Sequence, residues 1–447
     1  MLPSRHVPAA ARAAYRLDRK ASLLAGLYTG AIFPFIGIIA RETLHASELE
    51  LSILSAAPFL GSLLAIFYAH AVEGRRKVRS MVGPFILCRV ILFCVAFAHG
   101  SLAFVLLVGL AQLVAGVAGP ATAAVLKEIY PDDSRGRIMS YNRVALTVTS
   151  ALIALPAGWL LKQVGYQLLF PVAAVVGMVG SLTYLRIENL YADRWPPPPP
   201  ALPLRQRLAP RTAWRALGES LTFLRSTFQI LRDDKSYRWF ALSVFTYGFG
   251  NLMVLPLYPI FQVDRLHVST PQMGWLAQIS QVTMILAYFY WGRYVDLLSP
   301  LRAVALNVLL NACIPLLYFF SSEAWHLIPA FVLTGITNAG IDLAYFNSIL
   351  AFANEQTVAR YQALHSFLLG IRGTVAPFAG AALMRAMGAH GIDVKYLFLV
   401  SMALILLGCW MQAAGVKAQP PRNTSGNGEG AARRQGIRRR PAKRTVK

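Results

Sequence analysis

Residues 42–70 read ETLHASELELSILSAAPFLGSLLAIFYAH, and residues 264–292 read DRLHVSTPQMGWLAQISQVTMILAYFYWG. Laid over each other without a gap, they share Leu-His-x-Ser at the front, Leu54 and Leu276 in the middle, and Leu-Ala-x-Phe-Tyr at the end. The register extends backwards at the same offset of 222 residues, with Gly26 opposite Gly248 and Pro34 opposite Pro256. A match that long points to a duplicated unit, and the rest of the chain has to supply two copies of it.

The composition says in which solvent the copies fold. Of 447 residues, 56% are hydrophobic and 14% charged, too few polar side chains to cover a soluble surface of this size. Apolar runs of about 18 to 27 residues recur, each long enough to cross ~30 Å of hydrocarbon at 1.5 Å per residue. About twelve are found, over 22–40, 49–72, 81–98, 101–126, 140–162, 167–186, 237–263, 272–297, 301–320, 325–352, 361–387 and 394–414. The expected fold is an all-α integral membrane protein of twelve transmembrane helices in two parallel six-helix pseudo-repeats. Leu155-Pro-Ala-Gly158 in the fifth span, echoed by Ala376-Pro-Phe-Ala-Gly380 in the eleventh, carries the repeat past its first two spans.

A net charge of +23 raises nucleic acid as a partner, so the placement of the charges decides. About 35 of the 43 Lys and Arg fall in the tails and the even-to-odd loops, and about 5 on the other side. That asymmetry predicts both termini in the cytoplasm, and a polybasic tail facing anionic lipid needs no nucleic acid. Cys88, Cys94, Cys313 and Cys409 lie inside apolar runs without paired spacing, so no disulfide and no metal site is expected. The N-terminal apolar run is too long for a signal-peptide core and lacks a small-x-small cleavage site, so it reads as a first span.

The expected domains are a cytoplasmic segment 1–21, a six-helix bundle 22–186, a linker 187–236, a second bundle 237–414 and a basic tail 415–447. The linker opens with WPPPPPALP, a stiff polyproline II spacer. Trp214, Leu217, Leu221, Leu224, Phe228 and Leu231 then recur at helical steps among Arg215, Glu219, Arg225 and Arg232, predicting an amphipathic helix at the interface.

With the repeat and the linker in place, the chain resembles the major facilitator superfamily over essentially its whole length. The family's loop between spans 2 and 3 carries Gly-x-x-x-Asp-[Arg/Lys]-x-Gly-[Arg/Lys]-[Arg/Lys]. Here it reads FYAHAVEGRRK, where Gly74, Arg75 and Arg76 match, while Phe67 stands at the first Gly and Ala71 at the Asp. In GRYVDLLSPLR, between spans 8 and 9, Gly292 and Asp296 match. PDDSRGR matches the family's Pro-x-x-x-Arg-Gly turn at Pro131, Arg135 and Gly136. The resemblance implies that these residues are cytoplasmic gate parts rather than substrate ligands, with Glu73 replacing the missing Asp. It also implies a multi-pass protein of a bacterial cytoplasmic membrane, acting as a monomer.

Charged side chains in mid-membrane are costly and face cavities or partners. The candidates are Arg89, Arg143, Asp342 and Arg372. Counted from the cytoplasmic ends, Asp342 lies ~16 Å deep and Arg372 ~18 Å deep in consecutive spans, so the two are expected to meet as a pair. Arg143, ~9 Å deep, is expected to snorkel, and Arg89 to be structural or to snorkel. Cavity candidates are Tyr28, Gln112, Asn251, Gln278, Gln281, Asn338, Asp342 and Arg372, weighted to the second half. Asp342 is the one candidate proton carrier, and Pro34 and Pro256 are candidate hinges.

These features predict a secondary transporter of a small organic solute, with protons as a candidate coupling ion. No phosphate-binding Gly-x-x-x-x-Gly-Lys-[Ser/Thr] loop and no catalytic constellation occurs, and no cofactor is expected. The alternative is a transporter-like sensor or scaffold that binds ligand without net flux.

Overall fold

In the computed structural model, the described residues are 7–8, 11–72, 76–131, 134–191, 218, 228–297, 300–350, 352 and 357–417. Most of the predicted amphipathic linker helix and all of the tail beyond Lys417 lie outside them. The first half comprises α1 (Arg12–Thr43), α2 (Glu48–Ala71), α3 (Lys77–Phe97), α4 (Ser101–Ile129), α5 (Arg135–Val164) and α6 (Tyr166–Leu190). The second comprises α7 (Lys235–Arg265), α8 (Thr270–Leu297), α9 (Pro300–Phe320), α10 (Ile328–Leu350), α11 (Val358–Ala389) and α12 (Tyr396–Lys417).

Among the described residues, eleven helices are long and apolar enough to cross a membrane. Helix α8, at 28 residues, has the length and falls short on composition, because Gln272, Gln278 and Gln281 lower its mean hydropathy. An average over a helix is blind to which face carries the amides. Helix α1 begins at Arg12, so residues 12–21, expected as a cytoplasmic segment, continue the first helix.

The duplicated sequence becomes duplicated backbone. Each copy ends its first helix in a five-residue π-turn, Ile39–Thr43 and Phe261–Arg265. The turns close with the same bonds: Leu44 N–H to the Ile39 carbonyl at 3.1 Å and Leu266 N–H to the Phe261 carbonyl at 3.1 Å. His45 and His267 then adopt φ of 53° and 48°, a left-handed conformation in which His is tolerated better than most side chains. Ser47 and Ser269 start the next helix. The Ser47 N–H donates to Glu50 at 2.7 Å, and the Ser269 N–H donates to Gln272 at 2.9 Å. In the first copy the Glu50 N–H also donates back to Ser47 Oγ at 3.3 Å, the reciprocal box that satisfies orphan donors at a helix start, while in the second the Ser269 hydroxyl donates to the same Gln272 oxygen at 2.9 Å. Leu-His-x-Ser is therefore the code for a π-turn, a reversal and a helix cap.

Ahead of each turn stands a proline. Pro34 lies in a 3₁₀ turn, Phe33–Phe35, and Pro256 precedes the short helix Leu257–Ile260 after the main helix ends at Met253. A proline removes one backbone bond and the helix bends or breaks there.

The apolar core is distributed unequally along the helices. At the end carrying the two π-turns, one cluster runs through both halves, joining Phe35, Ile39, Leu51 and Leu54 to Leu257, Phe261, Leu276 and Ala376. At the opposite end, rich in Arg and Lys, the core is split. One cluster gathers Val78, Val125, Ile138 and Ile187 of the first half, and another gathers Tyr237, Trp291, Val304 and Leu364 of the second. Among the described residues, the apolar cores of the halves are continuous at the turn end and distinct at the basic end.

Candidate functional site between the halves

Helices α5 and α8 run antiparallel across the junction and meet at three levels. At the turn end, Gly158 and Gly274 bring the backbones together. A Cβ on Gly158 would sit 2.7 Å from the Thr270 carbonyl, and one on Gly274 would sit 2.8 Å from the Ala154 carbonyl. One level deeper, Gln281 Nε2 donates to Ser150 Oγ at 3.1 Å. Towards the basic end, Arg143 of α5 pairs with Asp342 of α10 at 2.6 Å, and the Tyr288 hydroxyl of α8 donates to the same carboxylate oxygen at 2.6 Å. Gly274, Gln281 and Tyr288 follow at seven-residue steps, close to two helical turns, so one face of α8 carries all three. Asn338, one turn from Asp342 on α10, is exposed.

A second junction pairs α2 with α11. Ser52 Oγ donates to the Pro377 carbonyl at 3.1 Å, and Gly370 and Gly373 make room for Leu63 and Phe59. Ion pairs fasten the turn end. The Arg41 Nε donates to both Asp264 oxygens, at 2.9 and 3.0 Å, and Arg385 lies 3.7 Å from Glu48. Both pairs bridge the halves. Arg265 holds Asp393 at 2.6 Å within the second half.

The expected Asp342–Arg372 pair does not form. Arg372, 5% exposed, turns from α11 towards α7, donates to the Val244 carbonyl and lies over the Tyr247 ring at 5.5 Å. Gly248 makes the slot, since a Cβ there would fall on the guanidinium. The first half has a counterpart: Thr149 of α5 occupies the space that a Cβ on Gly26 would need. Counting residues gives depth along a helix but not rotation about it, and rotation separates the two charges. Arg143, expected to snorkel, takes the place of Arg372 as the partner of Asp342.

Tyr28, expected at the cavity, is 3% exposed and packs within its own half. Its hydroxyl lies 3.8 Å from Cys88 Sγ, the Arg89 guanidinium stands 4.6 Å over its ring, and Gly177 of α6 accommodates that ring. Arg89 also donates to the Phe85 carbonyl at 3.1 Å. Gln112, Asn251, Gln278 and Gln281 are half-buried on α4, α7 and α8.

Of the expected gate residues, Gly74 and Arg75, like Glu73, lie outside the described residues, as do the surroundings of Gly292 and the side chain of Asp296 at the end of α8. Arg76 pairs with Glu188 at 2.7 Å, and Arg79 reaches the same carboxylate at 3.3 Å. Arg135 donates to the Lys127 and Tyr130 carbonyls at 2.9 and 3.1 Å, tying the start of α5 to the end of α4. Gly136 faces open space. These described contacts stay within the first half.

One buried carboxylate escaped the sequence reading. Asp18, 3% exposed, accepts from the Tyr130 hydroxyl at 2.6 Å, from Asn142 Nδ2 at 2.5 Å and from the Tyr184 hydroxyl. These donors come from the residue that follows α4, from α5 and from α6, so Asp18 ties α1 to three other segments of the first half. The helical spacing of the buried Ala11, Ala14, Tyr15, Asp18 and Ala21 carried the signal. Among the described residues, no three His, Cys, Asp or Glu side chains converge to hold a metal.

This all-helical architecture, two halves with polar groups between them, agrees with a family model. The model of the Major Facilitator Superfamily matches residues 21–236 and 240–445. The chain belongs to the major facilitator superfamily. As a member it is an integral multi-pass membrane transporter, not an enzyme. Solved superfamily structures share the fold. A variant of the nucleoside transporter NupG aligns with TM-score 0.65 and 12% identity over 90% of this chain and 99% of that one. A bacterial homologue of the human lysosomal transporter Spinster, inward-facing and unoccupied, gives 0.64 and 14% over 92% and 97%. A variant of the peptide transporter POT in complex with alafosfalin gives 0.66 and 11% over 90% and 94%. No curated protein sequence matches the chain.

Proposed function

We propose that this superfamily member is a secondary transporter that moves a small organic solute by alternating access, its halves rocking about polar groups of α5, α8 and α10. The observation that carries the reading is the core, continuous through both halves at the turn end and divided at the basic end. A solute entering from the divided end would meet Arg143, Asp342, Asn338 and Gln281 before the glycine crossing of α5 and α8.

In this reading, α8 is a twelfth span whose Gln281 amide faces α5 rather than lipid. Both termini lie on the cytoplasmic side with the basic end, the membrane is a bacterial cytoplasmic membrane, and the unit is a monomer. Residues 22–186 and 237–414 are the moving bundles, and 187–236 is the tether. Pro34 and Pro256, each just before a π-turn, are the bends about which α1 and α7 yield. Asp342 carries the coupling proton.

Flux in proteoliposomes tests this. Counterflow of a labelled panel of sugars, organic anions, amino acids and cations is expected to identify one transported class. Asp342→Asn is expected to abolish uphill uptake of that class while sparing exchange. Uphill uptake retained in Asp342→Asn rejects the proton role. Ligand-dependent stabilisation without flux in either direction replaces transport with ligand sensing.

A further inference from the structure

The guanidinium groups near the junction fall into two kinds. Arg372 is sequestered between α11 and α7, in the slot left by Gly248 and against the Tyr247 ring, and offers nothing to a solute. Arg143 is open: its side chain is 52% exposed, and its partner Asp342 is 29% exposed.

Two donors converge at this open position. The Arg143 guanidinium and the Tyr288 hydroxyl, from opposite halves, both reach Oδ2 of Asp342 at 2.6 Å. A guanidinium and a phenol aimed at one carboxylate oxygen are what a carboxylate receptor requires, and charge-assisted bonds of this kind are the strong ones. Asp342 therefore displays the chemistry of the seat by sitting in it. It arrives from α10, which Gly335 allows to pack closely on the backbone of α8 around Ser280 and Met284.

We infer that Arg143 and Tyr288 form a binding seat for a small organic carboxylate, and that Asp342 is its built-in competitor. The inference rests on the transporter reading and names its solute class. A ligand carboxylate that takes the two donors displaces Asp342 and breaks the ion pair that links α5 to α10. It also bridges the halves itself, because Arg143 belongs to one and Tyr288 to the other. Arrival of the ligand thereby exchanges a link within the protein for one through the solute.

The test measures binding on the purified full-length chain, with benzoate as the probe and benzamide as its uncharged isostere, read by thermal unfolding. Asp342→Asn removes the competitor and is expected to strengthen the benzoate response by about tenfold or more, because a tethered group competes at high effective concentration. Adding Arg143→Gln to that variant is expected to abolish the response, Arg143→Lys to retain a weakened one, and benzamide to stabilise neither. Tyr288→Phe is expected to weaken benzoate several-fold with Arg143 intact. A benzoate response equal in wild type and Asp342→Asn overturns the seat. So does one that survives Arg143→Gln, or one matched by benzamide. Solute flux separates the two readings: flux unchanged by Arg143→Gln rejects the seat and leaves transport standing. The expected benzoate pattern in a protein that transports no solute supports the seat and rejects transport.

Discussion

The glycine crossing of α5 and α8 makes the most quantitative prediction. A Cβ on Gly158 or Gly274 falls 2.7 or 2.8 Å from a carbonyl of the other helix, about 0.6 to 0.7 Å short of the 3.4 Å at which ordinary contact begins. The obstructing atoms are backbone, so no side-chain rotation relieves the clash, and the helices must separate. Overpacking of this size costs about 1–3 kcal/mol. In Gly158→Ala/Gly274→Ala that cost falls on the fused turn-end arrangement and not on one in which the turn end has parted. The ratio of fused to parted protein is therefore expected to drop about 5- to 150-fold. Spin labels at Leu49 and Ile392, 44% and 47% exposed at the turn ends of opposite halves, report it. Double electron–electron resonance should show a longer-distance population in the double variant that is minor in the parent. An unchanged distance distribution with an unchanged unfolding midpoint would falsify the crossing as the seal of the turn end.

Three further outcomes follow from other contacts. Ser47→Ala and Ser269→Ala each remove the hydroxyl that bonds Glu50 or Gln272 at the start of the second helix of one half and should each cost about 1 kcal/mol in thermal unfolding; a loss in one with none in the other breaks the structural equivalence of the repeats. Gly248→Ala should destabilise by forcing Arg372 from its slot, and the penalty should shrink in an Arg372→Ala background, with a coupling of about 0.5–3 kcal/mol in the double-mutant cycle. Strict additivity refutes the slot. Burial raises the Asp393 carboxyl, but the Lys395 backbone N–H and the Arg265 guanidinium more than offset it and hold it below the ordinary 3.8. A depressed carboxyl stabilises the fold above 3.8 and loses that contribution as pH falls through its lower folded value. Arg265→Leu should therefore lower the unfolding midpoint near pH 6 and converge with the parent in strong acid; a gap that persists there removes Asp393 as its source.

The sequence was most legible in its 222-residue repeat, which returned as duplicated backbone. That Leu-His-x-Ser encodes a π-turn, a left-handed His and a Ser at the helix start was not read from it, although each step depends on residues within a few positions of one another. What failed to show were relations that depend on rotation about a helix. Depth counting placed Asp342 and Arg372 at one level and paired them, yet Gly248 opens a slot for Arg372 on another side of α11. Arg143 looked too shallow to matter, because the approach of α10 to α5 is written in no local pattern. Asp18 was hidden by a boundary: hydropathy starts the first span at residue 22, whereas the helix and its buried stripe start about three turns earlier. Gly26 and Gly248 were visible as a repeated pair, but only packing shows what fills the space each leaves.

The central claim is that solute sites between the halves open to one side at a time. Its most direct measurement is thiol labelling of Asn338→Cys by an impermeant maleimide, applied from each side of oriented vesicles, in a chain with Cys88, Cys94, Cys313 and Cys409 replaced. Arg41→Cys/Asp264→Cys then replaces the turn-end ion pair by a crosslink that holds the halves fused. Read on the peptide that carries position 338, labelling is expected from both sides in the chain without the added pair, and from the basic-end side alone in the oxidised, crosslinked chain. Labelling from the turn-end side that is undiminished by the crosslink, or labelling from neither side, contradicts alternating access through this junction.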